Sequence, residues 1–501
     1  MSQTLVKVKQ ETEADQLKRV FVDVMIEVSK TIPQNPVIAD IDRVRLAIPH
    51  LELLSQEMLD DIPNPDDDNL MWAFVGVAWF YQGQGQYNSA ERYFDNCLEA
   101  VQSRLGDNHP SVATSLNNLA GLYCSQGRYT EAEPLYLEAL DLHKRLLGDN
   151  HPHVATSLNN LAALYKSQGR YTEAEPLLLE ALDLRKRLLG DNHPDVATYL
   201  NNLAQLYKSQ GRYTEAEPLY LEALDLRKRL LGENHPDVAQ SLNNLAGLYD
   251  SQGRYKEAEP LLLEALDLHK RLLGDNHPYV ATSLNNLALL YDSQGRYTEA
   301  EPLYLQALDL SKRLLGNNHP DLASSLNNLA SLYESQGRYT EAEPLYLQAL
   351  DLRKRLLGDN HPHVADSLSN LAGLYDFQGR YTEAEPLYLQ ALDLRKRLLG
   401  DNHPDVALSL SNLAGLYDFQ GRYTEAEPLY LQALDLRKRL LGENHPDTKN
   451  CRNNLQIMRL QQKFTSLTWL RWIIVIPIVI LWMPFYLLWM LTRWLVRRFI
   501  R

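Results

Sequence analysis

One five-residue phrase, Gly-[Asp/Glu/Asn]-Asn-His-Pro, recurs nine times along this chain at intervals of 42 residues, first at Gly106 and last at Gly442. Repetition at so strict a period indicates a stacked-repeat architecture, because one unit cannot bury its own apolar face and must pack against the next. Arrays of this kind present long continuous surfaces to solvent. We therefore expect a stack of copies whose surface binds other proteins.

Within one repeat the residues predict two helices, A and B, joined by a short turn. Pro110 is predicted to begin helix A, since proline's missing N–H costs little in a first turn, and Gly127 to end it with a positive φ. Thr130 and Glu133 have the spacing of a capping box, which predicts the start of helix B. The apolar positions predicted to be buried are Leu116, Leu119, Ala120, Leu122 and Tyr123 in helix A, and Ala132, Leu135, Tyr136, Ala139 and Leu140 in helix B.

In these residues the chain resembles the tetratricopeptide repeat (TPR) family. The family pattern is matched by Leu116, Leu119, Ala120, Tyr123, Gly127, Tyr129, Ala132, Tyr136 and Ala139. A leucine in place of the usual first tryptophan, and a period of 42 rather than 34 residues, are similar to the kinesin-light-chain type of the family, including its bacterial members. The resemblance implies an all-α fold: a right-handed superhelical solenoid of helix-turn-helix repeats whose A helices line a concave groove.

The chain divides into five segments by the quality of this pattern. Residues 1–69 predict an α-helical N-terminal cap, and the apolar residues of its first helix are expected to cover the array. A diverged first repeat spans 70–109, and eight 42-residue repeats span 110–445. In 446–463 polar residues replace apolar positions of helix A, which predicts a solvated capping helix. Residues 464–501 are hydrophobic and basic and predict a membrane anchor.

The anchor prediction rests on 472–491, which are 20 residues without a charge, about 30 Å as a helix. Interfacial tryptophans and terminal arginines suit contact with membrane lipid. Both a membrane-crossing helix and an interfacial segment with both ends in the cytoplasm fit the pattern. We expect the solenoid to lie in the cytoplasm, at a bacterial inner membrane. The residues singled out for the anchor are Trp472, Trp489, Arg493, Arg497 and Arg498.

Charge and motifs exclude several classes of function. The stretch from Thr448 carries nine Lys or Arg and no Asp or Glu, so the net charge of −14 hides a value of −23 for the rest of the chain. An acidic array repels phosphate backbones, and we expect no nucleic-acid partner. No catalytic or phosphate-binding signature is present, so we expect no enzyme activity, no cofactor and no small-molecule substrate. The N-terminus has no apolar stretch of the secretory type.

Two repeated features have plain structural interpretations. The histidines of the Asn-His-Pro phrase fall in separate repeats, too far apart to share a metal ion, and are expected to be loop residues before a helix. The Arg-Lys-Arg triplets near the end of helix B, such as Arg185 to Arg187, are expected to form a solvated face that complements the helix dipole.

The concave groove is where we expect a partner. One groove position forms an asparagine ladder, whose amides can both donate to and accept from an extended peptide backbone; the asparagine that follows each one is expected to tie adjacent repeats together. A second position changes from basic to acidic along the chain, and a third becomes phenylalanine. The ladder is Asn117, Asn159, Asn201, Asn243, Asn285 and Asn327; the changing positions include Lys166, Lys208, Asp250, Asp292, Phe377 and Phe419.

These features predict a non-catalytic scaffold or adaptor, tethered to a membrane, that binds a peptide or protein in its groove. Two alternatives stay open at this point. One is a regulatory subunit whose solenoid controls a separate enzyme, and the other is a structural protein that associates with itself on the membrane surface.

Overall fold

The computed structural model describes residues 2–34, 36–62 and 69–463. These residues form helices and turns, with no β-strand among them. The chain falls into two compact units, the first ending at Val406 and the second beginning at Ala407. The prediction of an all-α repeat solenoid is confirmed for the described part of the chain.

The repeats are helix pairs whose bounds recur at the predicted period. The A helices are α4 (Asn69–Gln82), α6 (Pro110–Ser125), α8 (Pro152–Ser167), α10 (Pro194–Ser209), α12 (Pro236–Ser251), α14 (Pro278–Ser293), α16 (Pro320–Ser335), α18 (Pro362–Phe377) and α20 (Pro404–Phe419). The B helices are α5 (Tyr87–Leu105), α7 (Tyr129–Leu147), α9 (Tyr171–Leu189), α11 (Tyr213–Leu231), α13 (Tyr255–Leu273), α15 (Tyr297–Leu315), α17 (Tyr339–Leu357), α19 (Tyr381–Leu399) and α21 (Tyr423–Leu441).

Small side chains set the close packing of helix on helix within each repeat. Ala120, Ala132 and Ala139 have no exposed surface, and the larger Leu116 and Tyr136 around them are buried. An alanine at a crossing lets two helices approach, while the leucine and tyrosine fill the space beside it. The apolar pattern read from the sequence is therefore the core of the array.

The helix-start prediction was right for helix A and wrong for helix B. His109 is the N-cap of α6, with its ring nitrogen Nδ1 accepting the backbone N–H of Ser111 at 3.2 Å, and Pro110 follows it as predicted. Helix B begins at Tyr129, so Thr130 lies inside the first turn and no side chain caps this end.

Contacts of the arginine that precedes helix B take the place of the predicted capping box. Arg128 stacks its guanidinium 4.0 Å from the ring of Tyr123 and donates to Glu131 at 2.7 Å. Glu133, the predicted box partner, instead accepts from Arg170 of the next repeat at 2.7 Å. The carboxylate of Glu133 binds Arg170 and not the backbone N–H at the start of helix B, because a charge-assisted hydrogen bond to arginine is stronger.

At the N-terminus, three α-helices precede the first repeat. These are α1 (Ser2–Lys30), α2 (Ile38–Val44) and α3 (Ile48–Glu57), followed by a 3₁₀ turn (Leu59–Asp61). The buried face of α1 is Val22 and Ile26, whereas Leu17, Val20 and Val24 are at least 49% exposed. Of the apolar residues at helical spacing that predict this helix, Leu17, Val20 and Val24 are thus exposed, and Phe21 and Val28 are only partly buried.

The first unit coils so that distant repeats touch. His361 Nε2 lies 3.1 Å from the carbonyl oxygen of Ser125, and His403 Nε2 lies 3.1 Å from that of Ser167, each across 236 residues of sequence. A separation of 236 residues is between five and six repeats of 42. The start of helix A in one repeat therefore packs against the end of helix A in a much earlier one.

A further helix, over 446–463, follows α21 in the second unit. Its buried face is Thr448, Cys451, Leu455 and Met458, and its other side chains are mostly exposed. Across the described ranges, no helix combines the length and the apolar character needed to span a membrane. The predicted anchor, 464–501, lies outside the described residues.

Candidate protein-interaction surface

A strip of side chains, all but the first of them ionisable Lys, Asp or Glu, runs along the last turns of successive A helices, and we call it the A-helix strip. Its members in the first unit are Cys124, Lys166, Lys208, Asp250, Asp292, Glu334 and Asp376, each of intermediate exposure. Neighbouring members lie within reach of adjacent repeats, since Lys166 Nζ donates to Gln205 Oε1 of the next repeat at 2.9 Å. The strip is basic at its N-terminal end and acidic at its C-terminal end, as the sequence predicts.

Partial burial perturbs the charges of this strip. Burial raises the pKa values of the Asp250, Asp292 and Glu334 carboxyls, and it raises the pKa of Asp376 to about 6. Burial also lowers the pKa of the Lys208 ammonium, against the attraction of Asp250. Desolvation penalises the charged form of each group, so a ligand of opposite charge would recover part of that cost.

Two of these carboxylates carry an oxygen with no hydrogen-bond partner. Oδ1 of Asp250 and Oδ1 of Asp376 are buried and unpaired among the described residues. Glu334 differs, because Oε2 accepts from the hydroxyl of Tyr346 at 2.7 Å. A buried polar atom left unpaired costs about 1–3 kcal/mol, so the charges of Asp250 and Asp376 are incompletely compensated within the chain.

A polar cavity of about 390 Å³ lies where the strip changes sign. Lys208 and Asp250 both contribute to its wall. Polar neighbours from three repeats complete it, among them Gln205, Tyr220, Asn243 and Asn286. The juxtaposed cation and anion give this part of the strip donors and acceptors for a polar ligand.

The two phenylalanines singled out by the sequence are exposed. Phe377 is 68% exposed at the end of α18, and Phe419, in the second unit, is 73% exposed at the end of α20. Each follows an aspartate in sequence, Asp376 and Asp418. An exposed aromatic ring next to a carboxylate offers both apolar and ionic contact to a partner.

The ladder asparagines form hydrogen bonds within the array. Asn201 and Asn327 are buried, whereas Asn117, Asn159, Asn243 and Asn285 are of intermediate exposure. The following asparagine of the next repeat donates to the ladder, as Asn202 Nδ2 does to Asn159 Oδ1 at 2.8 Å and Asn328 Nδ2 to Asn285 Oδ1 at 2.9 Å. The expectation that this second asparagine ties repeats together is confirmed, and the ladder asparagines accept those hydrogen bonds.

The prediction for the arginine triplets was right for two positions of three. In the triplet from Arg185, the side chains of Lys186 and Arg187 pair with carboxylates at the surface, Glu222 at 3.3 Å and Asp183 at 2.9 Å. The first arginine of several triplets is buried, because it inserts between helices and finds backbone acceptors there. These buried first arginines are Arg227, Arg353, Arg395 and Arg437. A sequence signal existed: this position varies among Arg, His and Ser, whereas the Lys-Arg that follows does not.

The histidines do not form a metal site in the described part of the chain, where no group of three His, Cys, Asp or Glu side chains could hold an ion. They are N-caps rather than plain loop residues, and His361 is buried as well. Burial lowers the pKa of His361 to about 4, since the charged ring would be desolvated.

Of the free cysteines, Cys124 lies on the strip, and burial raises its pKa to about 11, so its thiol is protonated at neutral pH.

Comparison with known families decides the classification. The model of the tetratricopeptide repeat matches the chain in nine overlapping stretches that together run from residue 69 to residue 463. This chain belongs to the tetratricopeptide repeat family. The matched stretches are 69–126, 111–187, 158–229, 196–270, 251–313, 293–355, 321–397, 377–439 and 405–463. No curated protein matches the chain.

Solved TPR structures of the kinesin-light-chain type are similar to it. BtubC (BKLC) from P. vanneervenii is 26% identical, covering 49% of this chain and 92% of that one, with a TM-score of 0.37. A putative kinesin light chain of Podospora anserina with nearly identical TPR-like repeats is 28% identical, covering 41% and 97%, with a TM-score of 0.36. A Rap protein solved with Competence and Sporulation Factor is 14% identical, covering 74% and 98%, with a TM-score of 0.48.

Proposed function

We propose that this TPR chain is a non-catalytic scaffold whose A-helix strip binds an extended, positively charged segment of a partner protein. The observation that carries the proposal is the pair of buried, unpaired carboxylate oxygens on Asp250 and Asp376, within a row of acids whose pKa values burial has raised. A cationic side chain laid on this row would pair with these partly exposed carboxylates and offset part of their desolvation. Each charge-assisted hydrogen bond contributes about 1.5–3 kcal/mol.

The spacing of the repeats selects the form of the ligand. Packed helices lie about 8–10 Å apart, and an extended chain rises about 3.3 Å per residue. One strip carboxylate therefore corresponds to about every third residue of a bound segment. A ligand with lysine or arginine at every third position would meet Asp250, Asp292, Glu334 and Asp376 in turn, with Phe377 beside the last of them. The ladder asparagines that keep some exposure beside the strip, such as Asn243, would bind the ligand backbone.

The direct test is binding of synthetic peptides to the full chain. We expect a 15-residue peptide with lysine at every third position to bind, and the same composition with its lysines clustered to bind at least tenfold more weakly. A variant with Asp250→Asn, Asp292→Asn, Glu334→Gln and Asp376→Asn should lose the preference. Calorimetry or fluorescence anisotropy measures both.

A matched control separates the strip from net charge. Asp183, Asp225, Asp267 and Asp309 sit on B helices, each exposed and paired with an arginine four residues on. Replacing these four by Asn removes the same number of charges elsewhere on the surface and should leave peptide binding unchanged. Equal loss in both quadruple variants would show that binding is non-specific attraction to an acidic protein, which contradicts the proposal.

We further propose that residues 464–501 tether the array to the cytoplasmic face of a membrane. The support is the sequence: the uncharged stretch 472–491 is long enough to cross a hydrocarbon core, and the arginines after it suit an anionic lipid surface. A tethered scaffold would hold its partner at the membrane.

A further inference from the structure

The first residue of the Arg-Lys-Arg triplets occupies a fixed place between two repeats, and in one repeat its side chain is short. In α11, α17, α19 and α21 it is a buried arginine, and in α7 and α13 it is a buried histidine. In α15 it is Ser311. The environment of the arginine is therefore repeated in α15 around a side chain that is too short to fill it.

Arg227 in α11 shows what this environment does. Its Nη1 donates to the carbonyl oxygen of Asp237 and to the hydroxyl of Ser241, both at 2.9 Å. Its Nη2 donates to the hydroxyl of Thr198 at 3.3 Å. These acceptors stand 10 and 14 residues after the arginine and 29 residues before it.

Arg353 in α17 repeats the arrangement. Nη1 donates to the carbonyl oxygen of His363 at 3.0 Å and to Ser367 Oγ at 2.9 Å, and Nη2 donates to Ser324 Oγ at 3.3 Å. The amide oxygen of Asn327, turned toward the guanidinium, adds an acceptor 2.9 Å from Nη1. Four acceptors from two helices, α16 and α18, thus converge on one planar, five-donor group.

The same four acceptors surround Ser311. By the same spacing they are the carbonyl oxygen of Asp321, the hydroxyls of Ser325 and Thr282, and the amide of Asn285. All four residues, and Ser311 itself, line one cavity of about 530 Å³. Ser325 keeps intermediate exposure, whereas its equivalents Ser241 and Ser367 are fully buried beneath their arginines.

The walls of the cavity add charge and an entrance. The carboxylate of Asp321 has a side chain that is 76% exposed, and its charge helps burial to raise the pKa of Tyr87 to about 12. Tyr87 comes from an earlier coil of the first unit, as does Ser125, so the cavity lies where two coils of the array meet. Thr282 and Ser324 are exposed at its wall, which leaves the acceptors accessible from solvent.

We propose that this cavity binds a guanidinium group from outside the chain, in the place that Arg227 and Arg353 fill in their own repeats. The site uses none of the strip carboxylates and does not depend on the function proposed above. The guanidinium belongs either to an arginine side chain of a polypeptide or to a free arginine-like metabolite. Both sources present the same planar donors to Asp321, Ser325 and Thr282.

The test is calorimetric titration of the full chain with N-acetyl-L-arginine amide, L-arginine and N-acetyl-L-lysine amide. We expect capped arginine to bind and capped lysine to bind at least tenfold more weakly, because an ammonium lacks the planar fork. Binding of capped arginine at least as tight as that of free arginine identifies a polypeptide source. Binding of free arginine alone identifies a metabolite. Equal binding of lysine and arginine, or binding of neither, overturns the proposal.

Two variants use side chains that the array already accepts at this place. Ser311→Arg should fold like the repeat of Arg353, fill the cavity and reduce arginine binding at least tenfold, with a raised thermal midpoint. Ser311→His should do the same through Ser325, as His269 does with Ser283 at 2.9 Å. Conversely, Arg353→Ser should create a second site and double the stoichiometry. Unaltered arginine binding in both Ser311 variants would place the ligand elsewhere and refute the inference.

Discussion

A pair of glycines offers a clean test of the contact between coils in the first unit. Gly127 and Gly253 occupy the same position of the repeat, and both have a φ of +70°. A Cβ added to Gly127 would lie 2.4 Å from Cδ of Pro362, whereas a Cβ added to Gly253 meets nothing within 4 Å. The two Gly→Ala variants therefore share their backbone strain and differ only in the contact with Pro362.

The magnitudes follow from these two terms. A left-handed conformation costs alanine about 1–2 kcal/mol, offset by about 0.4–1 kcal/mol from the lower entropy of the unfolded chain, so Gly253→Ala should cost about 0–1.6 kcal/mol. Gly127→Ala adds an overpacking cost of about 1–3 kcal/mol, unless the contact opens to relieve it. Because each repeat interacts mainly with its neighbours, the array opens at the contact rather than unfolding as a whole.

Hydrogen exchange measures that opening directly. In Gly127→Ala, the amides of residues 363–366 in the first turn of α18 should exchange about 5–160 times faster than in the wild type, as an added 1–3 kcal/mol implies. In Gly253→Ala they should exchange at the wild-type rate. Equal exchange rates at residues 363–366 in all three proteins would refute the contact between coils.

Three further predictions concern titration and attachment. His361 is buried, and its pKa is about 4, below its usual 6.5. Its contribution to stability is therefore present above pH 6.5 and is lost as pH falls toward 4. At pH 5 the loss in the free energy of unfolding is about 2 kcal/mol. Urea unfolding at several pH values should show this loss. The free energy of unfolding should depend less on pH in His361→Asn than in His235→Asn, because both variants keep an N-cap and only the first removes the imidazole of His361. Asp376 makes stability depend on pH in the opposite direction. Its pKa is raised to about 6, so the free energy of unfolding falls as the carboxyl becomes charged with pH rising through 6. Asp376→Asn should therefore stabilise by about 1–2 kcal/mol at pH 7.5, after allowance for solvent screening, and change nothing near pH 4. Deletion of 464–501 should move a folded chain from the membrane fraction to the supernatant, and persistent pelleting would contradict the anchor.

Local rules were enough to predict the repeat from its sequence. Proline without an N–H begins helix A, as at Pro110, and glycine at positive φ ends it, as at Gly127. The apolar spacing of 3.6 residues then identifies the buried faces. These features act within one repeat, where sequence distance and spatial distance are nearly the same.

Features that join repeats were not predictable in this way. The bond between His361 and Ser125 depends on the small rotation added at each repeat, which no single repeat encodes. Arg227 looked solvated because its neighbours Lys228 and Arg229 are charged, yet a long side chain can bury its stem and find carbonyl acceptors. The capping box failed because Glu133 has a better partner in the next repeat.

The most direct test of recognition by the A-helix strip is a crosslinked capture of partners from native lysate, with the full chain as bait. The wild type, the strip variant lacking the charges of Asp250, Asp292, Glu334 and Asp376, and the control variant lacking four B-helix carboxylates are compared side by side. We expect a protein to be captured by the wild type and by the control variant, and to be lost from the strip variant. Capture of the same protein by all three would place its binding surface elsewhere and contradict the claim that the A-helix strip is the site of recognition.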